Sequence, residues 1–409
     1  MKNPILKLAF ILWISPCNLE AQAYQNNQEK LIEDVNYLIN QIETSYVYLS
    51  DKGVDLNCLR DFYTNKVHEI NSIETEISLY ENLLNEFYDS HIHLNTNTQS
   101  SYRLYAPLYI SLKNDEFYIS EVWESQINPI SVNLIGAKVI SMNDKTIKSL
   151  IDSFPSSCND KKNPDVKEWI ANKIVAGKYN ESRIFHLLLS NGKKIKFDLD
   201  EIDIKSSRKM LSFYSLNNIG IIRINNSLGN NDLIEEFDET LNGLSNTKGL
   251  IIDLRNTISG GNSYVARGIL SRFINRSIPY QIHSFNEKYG DGPLIPRKWM
   301  EFVNPRGKYY NKPVVVLVGR WTASMGEGLA IGFDSLDNAT VVGTEMYKLA
   351  GAVNNFNFEN RDYGYQLSTE RLFHVNGTPR EKYIPKHVVN ESNIGADELM
   401  NKAILLLNN

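Results

Sequence analysis

The chain is short of the residues that several function classes require. It has three cysteines and seven histidines in 409 residues. Nowhere do Cys, His, Asp and Glu gather at the spacing of a ligand set, so neither a metal nor any other cofactor is expected. Positive charge is not in excess: 43 Lys and Arg stand against 48 Asp and Glu, a net −5, which leaves no basic footprint for a nucleic acid partner. Long hydrophobic runs are missing too, and the apolar stretch over residues 8–14 is too short for a stable membrane span. With 42% apolar and 22% charged residues, the composition excludes a disordered chain and a multi-span membrane protein. What remains is a globular protein long enough for two or three domains and a substantial core.

The first residues have the order of a secretory leader. Lys2 and Lys7 accompany the apolar stretch, and Ala21-Gln22-Ala23 supplies a small-x-small cleavage site. Residues 1–23 therefore read as a signal peptide cut after Ala23, and the mature protein as secreted or periplasmic. Cys17 offers a lipoprotein site instead, disfavoured by Pro16 directly before it. Cleavage leaves only Cys58 and Cys158. An oxidising compartment permits a bridge between them, and two unpaired buried thiols fit the sequence equally well.

Residues 24–100 form a helical region. Leu31, Val35, Leu38, Ile39, Ile42 and Tyr46 recur at three- and four-residue spacings, an amphipathic face. Further helical stretches follow Asp55 and cover residues 73–88, and the region closes on Asp89-Ser90-His91-Ile92-His93-Leu94. Residues 101–204 change to short strands, over 105–110, 117–120, 184–189 and 195–198, with Ser190-Asn191-Gly192 as a hairpin turn. Within them, residues 135–147, a glycine, a strand and an Asn143-Asp144 turn, resemble half of a PDZ-like module. From residue 205 to 409 strands and helices alternate. Strands are expected over 219–224, 249–254, 313–318 and 339–343, and helices over 231–244, 263–274 and after Ser324. Such alternation predicts an α/β core of mainly parallel strands, with ligands at their carboxyl ends.

Two of those ends carry chemistry. The run Pro313-Val-Val-Val-Leu-Val-Gly319 gives way to Thr322-Ala323-Ser324-Met325-Gly326-Glu327. A serine at a strand-to-helix turn exposes its hydroxyl beside helix N–H groups, a mounting for a nucleophile; the plainer role is a helix cap. Gly260-Gly261 follows the strand that ends in Asp253-Leu254-Arg255. Paired glycines let backbone N–H groups approach a substrate closely, while Asp253 and Arg255 read as ties between loop and core.

In order along the chain, four segments resemble the tail-specific, or C-terminal-processing, serine proteases, including their tricorn-core branch. They are Gly249-Leu-Ile-Ile-Asp-Leu-Arg-Asn256 with Gly260-Gly261, Pro313 to Glu327, Val341-Val-Gly-Thr-Glu345, and Asn376-Gly-Thr-Pro-Arg-Glu381-Lys-Tyr-Ile-Pro385. The resemblance runs over residues 219–388. It implies a crotonase-like ββα core, an N-terminal α-helical cap and a PDZ-like insert, acting on peptide or protein substrates. In the tricorn-like style, Ser324 is the nucleophile, His91 the base, Glu381 the acid that holds the imidazole, and Ser90 a supporting hydroxyl, with Gly261 and Met325 N–H groups as the oxyanion hole. The processing branch uses a lysine instead. Lys348 stands near that position, but the ungapped match falls on Leu349 and the flanking glycines are out of register. His93 shares a strand face with His91, half of a metal site that no third ligand completes. A member of the family that keeps the groove and loses the chemistry would bind peptide ends only.

Overall fold

The computed structural model describes residues 16–205 and 207–408, with side chains from residue 27. The leader's apolar stretch and the side chains of Cys17 and Ala23 lie outside what it describes. Among the described residues no helix is long and apolar enough to cross a membrane.

The N-terminal helices are α1 (Pro16–Ser45), α2 (Leu49–Lys52), α3 (Leu56–Lys66) and α4 (Ile73–Asn85). The expected apolar face from Leu31 to Tyr46 is buried and packs on Leu59, Leu83 and Phe87. Ser72 and Thr75 cap α4 reciprocally, satisfying N–H groups the helix leaves without partners. The chain then enters a two-residue strand, β1 (His93–Leu94).

Next come β2 (Leu108–Lys113), β3 (Glu116–Val122), β4 (Lys138–Met142), α5 (Ile147–Asp152), α6 (Pro164–Ala176), β5 (Ile184–Leu188) and β6 (Lys194–Asp198). The strands form an antiparallel sheet in the order β2-β3-β4-β5-β6, closed over its own core by α5 and α6. Asn143 and Asp144 have φ of 49° and 62°, a left-handed pair these residue types tolerate. Cys58 and Cys158 are bridged, which fixes this β module to α3. Beside the bridge the buried Glu86 carboxylate accepts the N–H groups of Ser157, Cys158 and Asn159.

The third part contains β7 (Leu211–Leu216), β8 (Ile219–Ile224), α7 (Leu233–Gly243), β9 (Gly249–Asp253), α8 (Ser263–Leu270), β10 (Ile278–Lys288), β11 (Leu294–Val303), β12 (Val314–Val318), α9 (Met325–Asp334), β13 (Ala339–Gly343), β14 (Ala352–Asn357), β15 (Gly364–His374), β16 (His387–Val388) and α10 (Glu398–Leu406). Six strands form a sheet in the order β16-β13-β12-β9-β8-β7. All neighbours in it are parallel except the β7–β8 pair at one edge. Val314, Val316 and Val318 pack with α7, α8 and α9, while Val315 and Leu317 meet α10 on the other face. Burial on both faces is why β12 reads as an unbroken apolar run.

A second sheet, β1-β15-β10-β11 with β14 on β15, has no counterpart in the sequence reading. It matters because β1 pairs with β15, His93 opposite Gln366 and Leu94 opposite Tyr365. That pairing carries the end of the helical region onto the α/β core.

Candidate active site

Ser324 sits where β12 becomes α9, at φ 49° and ψ −109°. A side chain in that region costs on the order of 1–3 kcal/mol and persists only where surroundings enforce it. They do. Thr322 Oγ1 accepts the Gly319 N–H at 3.1 Å and donates to the Leu254 carbonyl at 3.0 Å, which pins the turn to β9. Glu327, one turn into α9, accepts the Ser324 N–H at 2.8 Å. The Ser324 side chain is half-buried.

The glycine loop lies against it. A Cβ on Gly260, whose φ is +64°, would fall 2.6 Å from Ser324 Cβ and 3.0 Å from its Oγ. A Cβ on Gly261 would fall 2.2 Å from the Leu228 backbone, so only glycine fits at either position. Gly260 spends its N–H on the Thr257 carbonyl. The N–H groups of Gly261 and Met325 take no partner among the described residues, and both belong to segments that border Ser324.

His91 is buried, 5% exposed. Its Nδ1 is 2.9 Å from the Ala350 carbonyl oxygen. A carbonyl only accepts, so Nδ1 carries the proton and Nε2 keeps a free lone pair. Burial, with the Arg380 guanidinium added, pushes the imidazole down to about 4, so it is neutral at neutral pH. Asp89 Oδ1 accepts the His91 N–H at 2.9 Å while Oδ2 accepts the Tyr46 hydroxyl, and the Asp89 charge favours the imidazolium.

The expected partners Glu381 and Ser90, and the alternative base Lys348, make other contacts. The acceptor expected behind the imidazole was Glu381, yet Nδ1 has one proton and the Ala350 carbonyl holds it. Glu381 instead accepts the Tyr48 hydroxyl at 3.4 Å, and burial raises its carboxyl above the ordinary range. Ser90 was expected to support His91; its Oγ accepts the Trp169 indole N–H of the β module at 3.0 Å. Lys348 is exposed, and its Nζ is 2.7 Å from Glu345 Oε2, so the desolvation that a lysine base needs is missing. His93 Nδ1 is spent on the Leu94 carbonyl, and among the described residues no group of three His, Cys, Asp or Glu is placed to hold a metal ion.

Sequence reasoning missed Ala350, Asp89, Arg380 and Glu327. A backbone carbonyl such as Ala350 has no residue signature. Glu327 had one, an acidic residue three places after a capping serine.

A cavity of about 860 Å³ adjoins this arrangement. All three parts of the chain line it, with Tyr48 and Ser90, Tyr109 and Trp169, and Arg320, Tyr347, Ala350 and Glu381. Ser324 and His91 are not among its lining residues; it reaches the site at Ser90, Ala350 and Glu381. Trp321, three residues before the serine, donates to the Ala106 carbonyl and stacks on Trp123 at 5.4 Å, joining the β module to the serine turn.

Residues 218–389 match the model of peptidase family S41. No curated protein sequence matches the chain. Among solved structures, mature CPAF complexed with lactacystin is 14% identical with a TM-score of 0.60, over 93% of this chain and 97% of that one. The photosystem II D1 C-terminal processing protease is 13% identical with a TM-score of 0.54, over 89% and 93%. A putative peptidase from Parabacteroides merdae ATCC 43184 is 15% identical with a TM-score of 0.55, over 91% and 95%. At such identities these likenesses are likenesses of fold.

Proposed function

Residues 218–389 are a domain of peptidase family S41 and the chain is a serine-type peptidase; on that premise we propose an endopeptidase in which Ser324 attacks and His91 is its base. The observation that carries the proposal is the enforced conformation of Ser324, at φ 49° and ψ −109°, with the glycine loop against its side chain. Ser324 Oγ attacks a peptide carbonyl while His91 Nε2 takes its proton. The oxyanion meets the N–H groups of Gly261 and Met325, and His91 returns the proton to the leaving amine. Water repeats the cycle on the acyl-enzyme. The Ala350 carbonyl fixes the tautomer, the part first assigned to Glu381. Glu381 and Ser90 stand in the cavity wall beside Ala350.

The finer fold reading belongs with it: residues 24–100 as a helical cap, 101–204 as a PDZ-like insert and 205–409 as a crotonase-like core. The leader, residues 1–23, directs the protein to the periplasm or outside the cell, and peptides or proteins are its substrates. A fluorophosphonate probe tests the central claim. Wild type is expected to be labelled and Ser324→Ala not; an unlabelled wild type that still binds peptides would make the chain a binding module.

The β2 edge of the insert is not open to peptide ends. β2 is a sheet edge, the place where an extended peptide would add as a strand. Asn172 of α6 already accepts the Ile110 N–H at 2.9 Å and donates to its carbonyl at 2.8 Å. Glu168 accepts the Leu112 N–H at 2.8 Å and would repel a terminal carboxylate. Deleting the last residues of a cleaved protein substrate is therefore expected to leave kcat/KM within about twofold, measured by steady-state cleavage. A large loss would show that the edge opens.

A further inference from the structure

Glu327 has no place in the mechanism above, although it is an acid with 0% exposure one turn from the nucleophile. Among the described residues its carboxylate makes no ion pair; it accepts three backbone N–H groups. Oε2 takes Ser324 at 2.8 Å and Leu349 at 3.2 Å, and Oε1 takes Lys348 at 2.9 Å. Ser324 and Lys348 are both non-glycine residues at positive φ, 49° and 66°, so one carboxylate holds two strained backbones. The residue after Leu349 is Ala350, whose carbonyl orients His91. From the far side Arg380, 1% exposed, donates to the carbonyls of Leu349 and Gly351.

We propose that Glu327 is a positioning residue that clasps the serine turn to the segment holding the imidazole, and that the clasp is complete only when Glu327 is ionised. This rests on the serine–histidine reading. An ionised carboxylate offers lone pairs to all three N–H groups. Protonation turns one oxygen into a donor in a place surrounded by donors, so at least one contact weakens. Arg380 is the charged group bearing on Glu327 and favours the anion. The Lys348 ammonium is turned outward to Glu345 and the Tyr347 hydroxyl to the Leu104 carbonyl. Burial outweighs Arg380 and the three N–H groups and raises the Glu327 carboxyl to about 7, which puts the change within the working range of an enzyme.

The test is the pH dependence of Ser324 labelling by a fluorophosphonate, with peptide cleavage alongside, in wild type and Glu327→Gln. The amide keeps the volume but faces a donor NH2 toward backbone donors. Wild-type rates are expected to fall as the pH drops through about 7. In Glu327→Gln that limb is expected to vanish, leaving a rate about 10²-fold lower above it with KM within about twofold. A purely structural glutamate would not own a limb of the profile. If the limb persists in Glu327→Gln, it belongs to another group and the clasp is refuted while the peptidase reading stands. A wild-type profile flat across neutral pH refutes it without any variant, including the case where Glu327→Gln does not fold. Wild type unlabelled at every pH removes the serine reading and the clasp together.

Discussion

His91→Ala is expected to lower kcat by on the order of 10⁴-fold, with the fold intact by circular dichroism, whereas Lys348→Ala changes kcat by no more than about twofold. The contrast follows from burial and partners. The His91 ring is enclosed, neutral at neutral pH and held by the Ala350 carbonyl with Nε2 free. The Lys348 side chain is exposed and its Nζ is engaged by Glu345, so it lacks the enclosure that a lysine base needs. Steady-state cleavage by the two variants decides the matter, and the reverse order of effects would assign the base to lysine. The substitution also has a consequence for stability. A buried neutral imidazole, with its pKa about 4 against an ordinary 6.5, makes the unfolded chain bind more protons at acid pH. Wild type therefore loses stability as the pH falls from about 6.5 towards 4.

The second large effect is on folding. Asp253→Ala is expected to destabilise the protein by about 3–5 kcal/mol, read from denaturant or thermal unfolding. Asp253 ends β9 with 0% exposure. Burial alone would raise its carboxyl, but the Arg255 and Arg223 guanidinium groups hold it well below the usual aspartate range. Arg255 reaches on to Asp397 at 2.7 Å, so removing the aspartate leaves a buried cation half-paired and loosens the approach to α10. Because the folded-state pKa is depressed, the contribution is full at neutral pH. It is lost only as the pH falls below the ordinary aspartate value of 3.8. A loss under about 1 kcal/mol, within the range of surface substitutions, would refute this account.

What the sequence disclosed follows from which forces leave a pattern. β8 and β13 were legible to the residue, and β12 to within one, because strands buried on both faces are written as apolar runs. The serine turn was legible because a strand, small residues and a helix follow one another at Ser324. The hairpin of β10 and β11 was not. β11 exposes nearly every residue, Arg297 and Lys298 beside Trp299 and Met300, so neither period marks a core. The neighbours of the site residues were hidden for another reason: Tyr48 bonds Glu381 from 333 residues away, and Ala350 orients His91 from 259. Tertiary pairing brings such partners together, and local spacing carries no trace of it.

The bridge between Cys58 and Cys158 spans 100 residues, and by chain entropy a link of that reach contributes up to about 4.7 kcal/mol. It also moors the Trp169 side of the cavity to the helices that deliver His91. Preparations made in a reducing cytosol, or stored with a thiol, would therefore carry a slacker enzyme than the oxidised one. Batch-to-batch differences in specific activity would then record redox history as much as purity.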